Sequence, residues 1–191
     1  MSTSQFVREF LRDPRSIGAI APSSSALAQT MLAAAELSSR TTIFEFGPGT
    51  GAFTKSISAQ LRPDQRYVGI ERNAHFTTLL AAKYPRLTFV CGSVEDLQEI
   101  AAGLGVSAID AIISGLPWAS LPLATQTKTF DAMRALMPAN SVFATFAYLQ
   151  GLLLPNARAL RARLDAEFSN VTSGPIVWRN MPPAVIYKCL R

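Results

Sequence analysis

Seven residues, Glu45-Phe46-Gly47-Pro48-Gly49-Thr50-Gly51, constrain this 191-residue chain more than any other stretch. They close a short β-branched and aromatic run, residues 42–46. They open a segment from about residue 52 to 61 with Phe53, Ile57 and Leu61 at helical spacing. Three glycines at every second position let a backbone turn sharply and approach a ligand without Cβ clashes. A loop that ends at a helix N-terminus also offers N–H groups with no intrahelical acceptor. Strand-like runs at 67–70, 87–91, 109–113 and 141–146 then alternate with helical patterns at 73–83, 94–104 and 123–136. Strict alternation of this kind means a parallel, doubly wound sheet covered on both faces. The tail changes rhythm. A helix at about 157–168 is followed by two strand-like runs, 170–178 and 184–190, with no helix between them. Two such strands must pair as an antiparallel hairpin. The expected fold class is therefore α/β, a doubly wound seven-stranded sheet with a C-terminal antiparallel hairpin and N-terminal helices.

The loop's charge narrows its ligand. A dinucleotide site uses G-x-G-x-x-G with the pyrophosphate on the helix dipole. Here the spacing is G-x-G-x-G, and Glu45 stands two places ahead of the first glycine. A carboxylate there repels a pyrophosphate and favours an ammonium. S-adenosylmethionine carries an amino group and a sulfonium, so it suits an acidic loop. Glu71, twenty residues after Gly51 and at the end of the second strand, is placed to accept hydrogen bonds from both hydroxyls of a ribose.

Composition excludes several classes. With 49% apolar residues and 16% charged ones, the chain is neither disordered nor fibrous. Its length suits one domain. Two cysteines, Cys91 and Cys189, make neither a disulfide scaffold nor a four-ligand zinc site, and free, buried thiols are expected. The N-terminus carries charges where a secretory signal needs an apolar core. The most apolar stretch, residues 142–154, is shorter than the about 20 residues of a bilayer span. A cytoplasmic protein, free or resting on a membrane, is expected. The formal charge of +5 is concentrated in residues 151–191, where Arg158, Arg161, Arg163, Arg179, Lys188 and Arg191 face only Asp165 and Glu167. Such a balance suggests an anionic partner, nucleic acid or acidic lipid, or a solvated helix face.

Two segments precede the glycine loop. Phe6, Val7, Phe10 and Leu11 line one side of a helix over about 4–13, with Arg8, Arg12 and Arg15 on or beside the other. That pattern fits a helix pressed onto a membrane, or one packed on its own domain. A second, alanine-rich helix is expected over about 22–37. Residues 1–38 thus read as a helical segment, and 39–191 as the sheet domain.

From residue 40 onward the chain resembles the class I S-adenosylmethionine-dependent methyltransferases, whose Rossmann-like sheet ends in this hairpin. Further motifs narrow the likeness: 10–15 (FLRDPR) with 18–24 (GAIAPSS), 69–73 (GIERN), 114–118 (SGLPW), 146–148 (FAY) and 177–184 (VWRNMPPA). Together they look like the small, soluble bacterial phospholipid N-methyltransferases. Those enzymes carry phosphatidylethanolamine through its mono- and dimethyl forms to phosphatidylcholine, and close relatives methylate ornithine lipids.

The resemblance implies that Glu45, Gly47, Gly49 and Gly51 hold the methionine end of S-adenosylmethionine and that Glu71 holds its ribose. Related enzymes often place an Asp after the third strand's Gly to meet the adenine; here Ser93 follows Gly92, so Ser93, Val94 or Glu95 takes that place. Ser114, also expected to contact the cofactor, opens the turn where amino-directed nucleic-acid methyltransferases carry an Asn or Asp acceptor, followed by an aromatic that stacks on the base. Gly115 offers no side-chain acceptor, which weakens a nucleic-acid substrate. Trp118 keeps an aromatic face that suits a methylated ammonium, or packs beside the cofactor. Catalysis is expected to be in-line attack by an amine, needing positioning and release of one proton per step. Tyr148, at the end of the fifth strand, is the group expected to orient the amine or lead its proton to water, and His75 is expected on a helix surface. Arg179, with Asn180 beside it, is the first choice to clamp the lipid anion; Arg15 and Lys188 come second. An anionic membrane surface, a monomeric chain and no metal complete the expectation. The alternatives are an ornithine-lipid acceptor, an rRNA adenine N-methyltransferase of the same fold, and a non-enzymatic cofactor-binding scaffold.

Overall fold

A computed structural model describes residues 24–191. Near-continuous apolar runs mark strands covered on both faces. They form β1 (Thr42–Phe46), β2 (Arg66–Glu71), β4 (Ala111–Ser114) and β5 (Val142–Tyr148), with β3 (Thr88–Cys91) at one edge. The hairpin is β6 (Asn170–Val177) and β7 (Ala184–Leu190). The sheet order is β3-β2-β1-β4-β5-β7-β6, with the first five strands parallel and β7 antiparallel to both β5 and β6. This is the expected seven-stranded arrangement, and the last strand slots between its hairpin partner and β5.

Helices cover both faces. α1 (Ser25–Ala34) is capped by Ser24, whose Oγ accepts from the Leu27 amide at 3.1 Å. With α2 (Ala52–Gln60) it buries Leu27, Met31, Phe53 and Ile57 against Ile43, Ile113 and Phe146. On the opposite face lie α4 (Leu97–Gly103), α5 (Leu123–Leu136) and α6 (Pro155–Glu167). There Leu97, Phe130 and Leu160 meet Phe44, Phe46 and Phe143. Successive residues of β1 thus point into different cores, the period-two alternation of a strand. α3 (Ala74–Lys83) starts at Asn73, whose Oδ1 accepts from the His75 amide at 2.9 Å.

Several expectations shift. The helix expected over 94–104 divides into a 3-10 turn, Val94–Asp96, and α4, because Ser93 Oγ accepts from the Glu95 amide and starts the turn. The alanine-rich helix is shorter than 22–37. It ends at Ala34, and Glu36 takes a left-handed φ of 52° before a 3-10 turn at Leu37–Ser39. This helix shares its core with the sheet. Cys189 is buried as expected, but Cys91 is exposed, because β3 is an edge strand. Among the described residues no helix is long and apolar enough to cross a membrane. Phe6, Val7, Arg8, Phe10, Leu11, Arg12 and Arg15 lie outside the described residues.

The basic tail is largely spoken for. Arg161 pairs with Asp165, Arg163 with Glu167 and Lys188 with Glu36, while Arg191 donates to the Glu167 and Arg134 carbonyls. Most of that charge is therefore a solvated, internally paired face.

Candidate cofactor and substrate site

The glycine loop lies at the carboxyl end of β1, where a doubly wound sheet collects its ligands. Gly47, Gly49 and Gly51 all have positive φ, 66°, 54° and 85°. Gly47 shows why a side chain is excluded. Its amide donates to the Ile70 carbonyl at 2.9 Å, and a Cβ there would lie 2.5 Å from Leu116 Cδ2. No side chain caps the α2 N-terminus.

Glu45 is fully buried beneath this loop. Its Oε2 accepts from Thr54 Oγ1 at 2.8 Å and from Tyr67 Oη at 2.5 Å, while its Oε1 is buried with no partner among the described residues. Burial raises its pKa to about 7, against the opposing pull of the Tyr67 and Thr54 hydrogen bonds. Sequence reasoning missed Tyr67 and Thr54. The signal was Gly69, the neighbour of Glu45 in register on β2. A Cβ on Gly69 would lie 2.8 Å from Tyr67 Oη, so glycine there leaves the room that lets the phenol reach Glu45. A buried acceptor with a free lone pair beneath a glycine loop fits a ligand that brings an amino group.

Glu71 ends β2 and pins the loop. Its Oε2 accepts from the Gly49 amide at 2.9 Å and its Oε1 from the Asn73 amide at 2.8 Å. Each oxygen keeps a lone pair for a diol. Ser93, Val94 and Glu95 follow β3 directly beside it, since the Gly92 amide donates to the Glu71 carbonyl at 3.0 Å. Val94 is buried, and Ser93 and Glu95 are half-buried. The structure thus brings Glu45, the three glycines, Glu71 and the 93–95 turn to one edge of the sheet.

The acceptor side departs further from expectation. Trp118 is 1% exposed. Its ring stacks on Phe130 at 4.8 Å and its Nε1 donates to Ser114 Oγ at 2.8 Å. A ring enclosed in this way presents no face to an ammonium; it is packing. Ser114 is correspondingly buried, and its hydroxyl accepts from Trp118 and from the Leu116 amide, so it anchors the turn. Asn180 is also buried: its Oδ1 accepts from the Ser24 amide at 2.9 Å and its Nδ2 donates to the Pro182 carbonyl at 2.7 Å. That amide is used up in joining α1 to the hairpin turn. Lys188 is held by Glu36 and is no candidate. His75 is exposed on α3. Tyr148 and Arg179 remain as candidates. Tyr148 is half-buried at the carboxyl end of β5, its ring edge-on to Phe146, and burial raises its pKa. Arg179 is exposed in the β6–β7 turn and forms no salt bridge among the described residues. No group of three or more potential metal ligands occurs among the described residues.

No protein-family model matches the chain. An ornithine lipid N-methyltransferase of Singulisphaera acidiphila is 28% identical over 187 residues, covering 96% of this chain and 93% of that protein. Among solved structures, an O-methyltransferase from Bacillus cereus in complex with SAH aligns at TM-score 0.67 with 12% identity. That alignment covers 100% of this chain and 93% of the other. The O-methyltransferase TomG from Streptomyces achromogenes, in complex with SAM, aligns at 0.66 with 16% identity over 88% of this chain and 81% of its own. The fold is that of the class I S-adenosylmethionine-dependent methyltransferases.

Proposed function

We propose that this chain is an S-adenosylmethionine-dependent N-methyltransferase whose acceptor is the primary amine of a membrane lipid headgroup, with an ornithine lipid as the first choice. The observation that carries the cofactor is the buried, unpartnered Glu45 oxygen beside a glycine loop that Glu71 pins. The lipid acceptor is supported by the relative that matches nearly end to end and is named for it. Phosphatidylethanolamine, which the sequence motifs put first, is the second acceptor. Both headgroups pair a primary ammonium with an anion.

When bound, S-adenosylmethionine would supply a methyl group on a sulfonium to an amine lone pair in line, leaving S-adenosylhomocysteine, and the amine would shed one proton to solvent per step. The protein's share is placement. Glu45 and the glycine loop hold the amino-acid end, Glu71 takes the ribose hydroxyls, and the 93–95 turn borders the adenine. Tyr148 keeps its proton at neutral pH, since burial pushes its pKa upward. It therefore acts as a hydrogen-bonding group that orients the amine, not as a base. Arg179 meets the headgroup anion through a planar, permanently charged fork.

Methyl-labelled S-adenosylmethionine, offered with vesicles containing both ornithine lipid and phosphatidylethanolamine, tests this reading after chromatographic separation of the lipids. Label in ornithine lipid is the expected result. Label in phosphatidylethanolamine alone moves the acceptor to the second choice. Label in neither, or label in added RNA, contradicts a lipid acceptor.

A further inference from the structure

Three loops crown the carboxyl edge beside Tyr148: residues 115–123 after β4, 149–154 after β5, and the β6–β7 turn at 178–183. They are neighbours because β4, β5 and β7 are adjacent in the sheet. The Leu149 amide donates to the Pro183 carbonyl at 2.8 Å, and α6 packs on the 3-10 turn Trp118–Ser120. Their sequences, GLPWASLPL, LQGLLL and WRNMPP, contain a single charged side chain, Arg179. Seven large hydrophobic residues are exposed among the described residues, and five of them stand on this rim. Leu123 is 70%, Leu153 78%, Leu154 59%, Trp178 68% and Met181 80% exposed. Isolated exposed leucines mean little, but a concentration at one edge, almost free of charge, marks a contact surface.

We propose that this rim is the surface by which the protein docks on a lipid bilayer, with the mouth of the site turned toward the headgroups. The proposal rests on the lipid acceptor inferred above, and adds where the membrane sits. Three observations select a bilayer as the occupant. The rim lies at the site end of the sheet, so a second copy of the chain packed there would close the path of a lipid headgroup. Trp178 pairs an apolar ring with a polar N–H, the combination favoured at a membrane–water interface. Arg179 beside it and Arg158 in the first turns of α6 are exposed and form no salt bridge among the described residues, which suits anionic headgroups.

The chain contains two tryptophans, of which Trp118 is buried and Trp178 exposed, so fluorescence isolates the rim. The full chain is mixed with vesicles of phosphatidylethanolamine and phosphatidylglycerol. Trp178 emission is expected to shift to the blue and to be quenched by lipids brominated near the headgroup end of the acyl chains; Trp178→Phe removes the response. Leu153→Asp and Met181→Asp are each expected to weaken vesicle partitioning about tenfold, with S-adenosylmethionine binding unchanged as proof of folding. An unaltered Trp178 spectrum, or variants that partition like the parent, overturns the proposal even if lipid is methylated. Partitioning through the rim with no methylated lipid overturns the acceptor and leaves the docking surface standing. A chain that dimerises through the rim in the absence of lipid, and ignores vesicles, gives the surface to a second copy.

Discussion

Glu45 is a carboxyl group held at full burial with one oxygen spent on Thr54 and Tyr67 and the other unpartnered. Its pKa of about 7 in the fold, against an ordinary 4.5, makes it an uncharged group in mild acid. A raised carboxyl pKa means the unfolded chain ionises first as pH rises. The ligand-free protein is therefore expected to lose stability between about pH 4.5 and 7, on the order of 3 kcal/mol in all, and to level off above that. Glu45→Gln should flatten this slope in urea melts taken across the range; an unchanged slope assigns it to other groups. A ligand ammonium beside Oε1 favours the carboxylate. Cofactor affinity of the parent should then rise with pH up to about 7 and plateau, with proton release visible by calorimetry in two buffers. Trp118 makes the opposite point. Buried against Phe130 and bonded to Ser114, it should tolerate Trp118→Phe with a modest fall in Tm and no change in acceptor KM. A KM increase confined to methylated acceptors would return the ring to the site wall.

Among the elements, the strands and their alternation with helices were readable because a parallel strand buried on both faces is written as a continuous apolar run. The ends of Leu123–Leu136 and Ala184–Leu190 coincide with the sequence pattern. The split of 94–104 did not show, since Ser93 caps a turn through a local hydrogen bond that periodicity does not register. In the hairpin turn the sequence pattern puts Asn180 beside Arg179 at the substrate, yet Asn180 is structural. Asn180→Ala strips the Ser24 amide and the Pro182 carbonyl of their buried partner and should cost about 1–3 kcal/mol in chemical denaturation. A loss below that range would mean that water satisfies both groups. In the loop, Gly47→Ala combines a positive φ with a Cβ 2.5 Å from Leu116. It should weaken cofactor binding at least tenfold in equilibrium dialysis while the chain still folds; parental affinity would show that the loop relaxes freely.

At the scale of the whole molecule, the sequence places Glu45, the glycines and Glu71 at one edge because their positions follow from strand ends alone. The fate of Trp118, Ser114 and Asn180 depends on what α5, α6 and α1 bring over them, and that is tertiary packing no local pattern records. The apolar rim was hidden for the same reason: its three loops are far apart in sequence and meet only through the order β4-β5-β7. Methyl transfer from this edge to a lipid amine is the function proposed for the whole fold. It is tested most directly by expressing the chain in a bacterial host that makes both ornithine lipid and phosphatidylethanolamine but no N-methylated lipid. Lipid mass spectra of the parent are then compared with those of Glu71→Ala. Ornithine-lipid species heavier by one or more methyl groups are expected with the parent and none with the variant. Identical lipid profiles, from a parent chain shown to bind S-adenosylmethionine, would contradict that function.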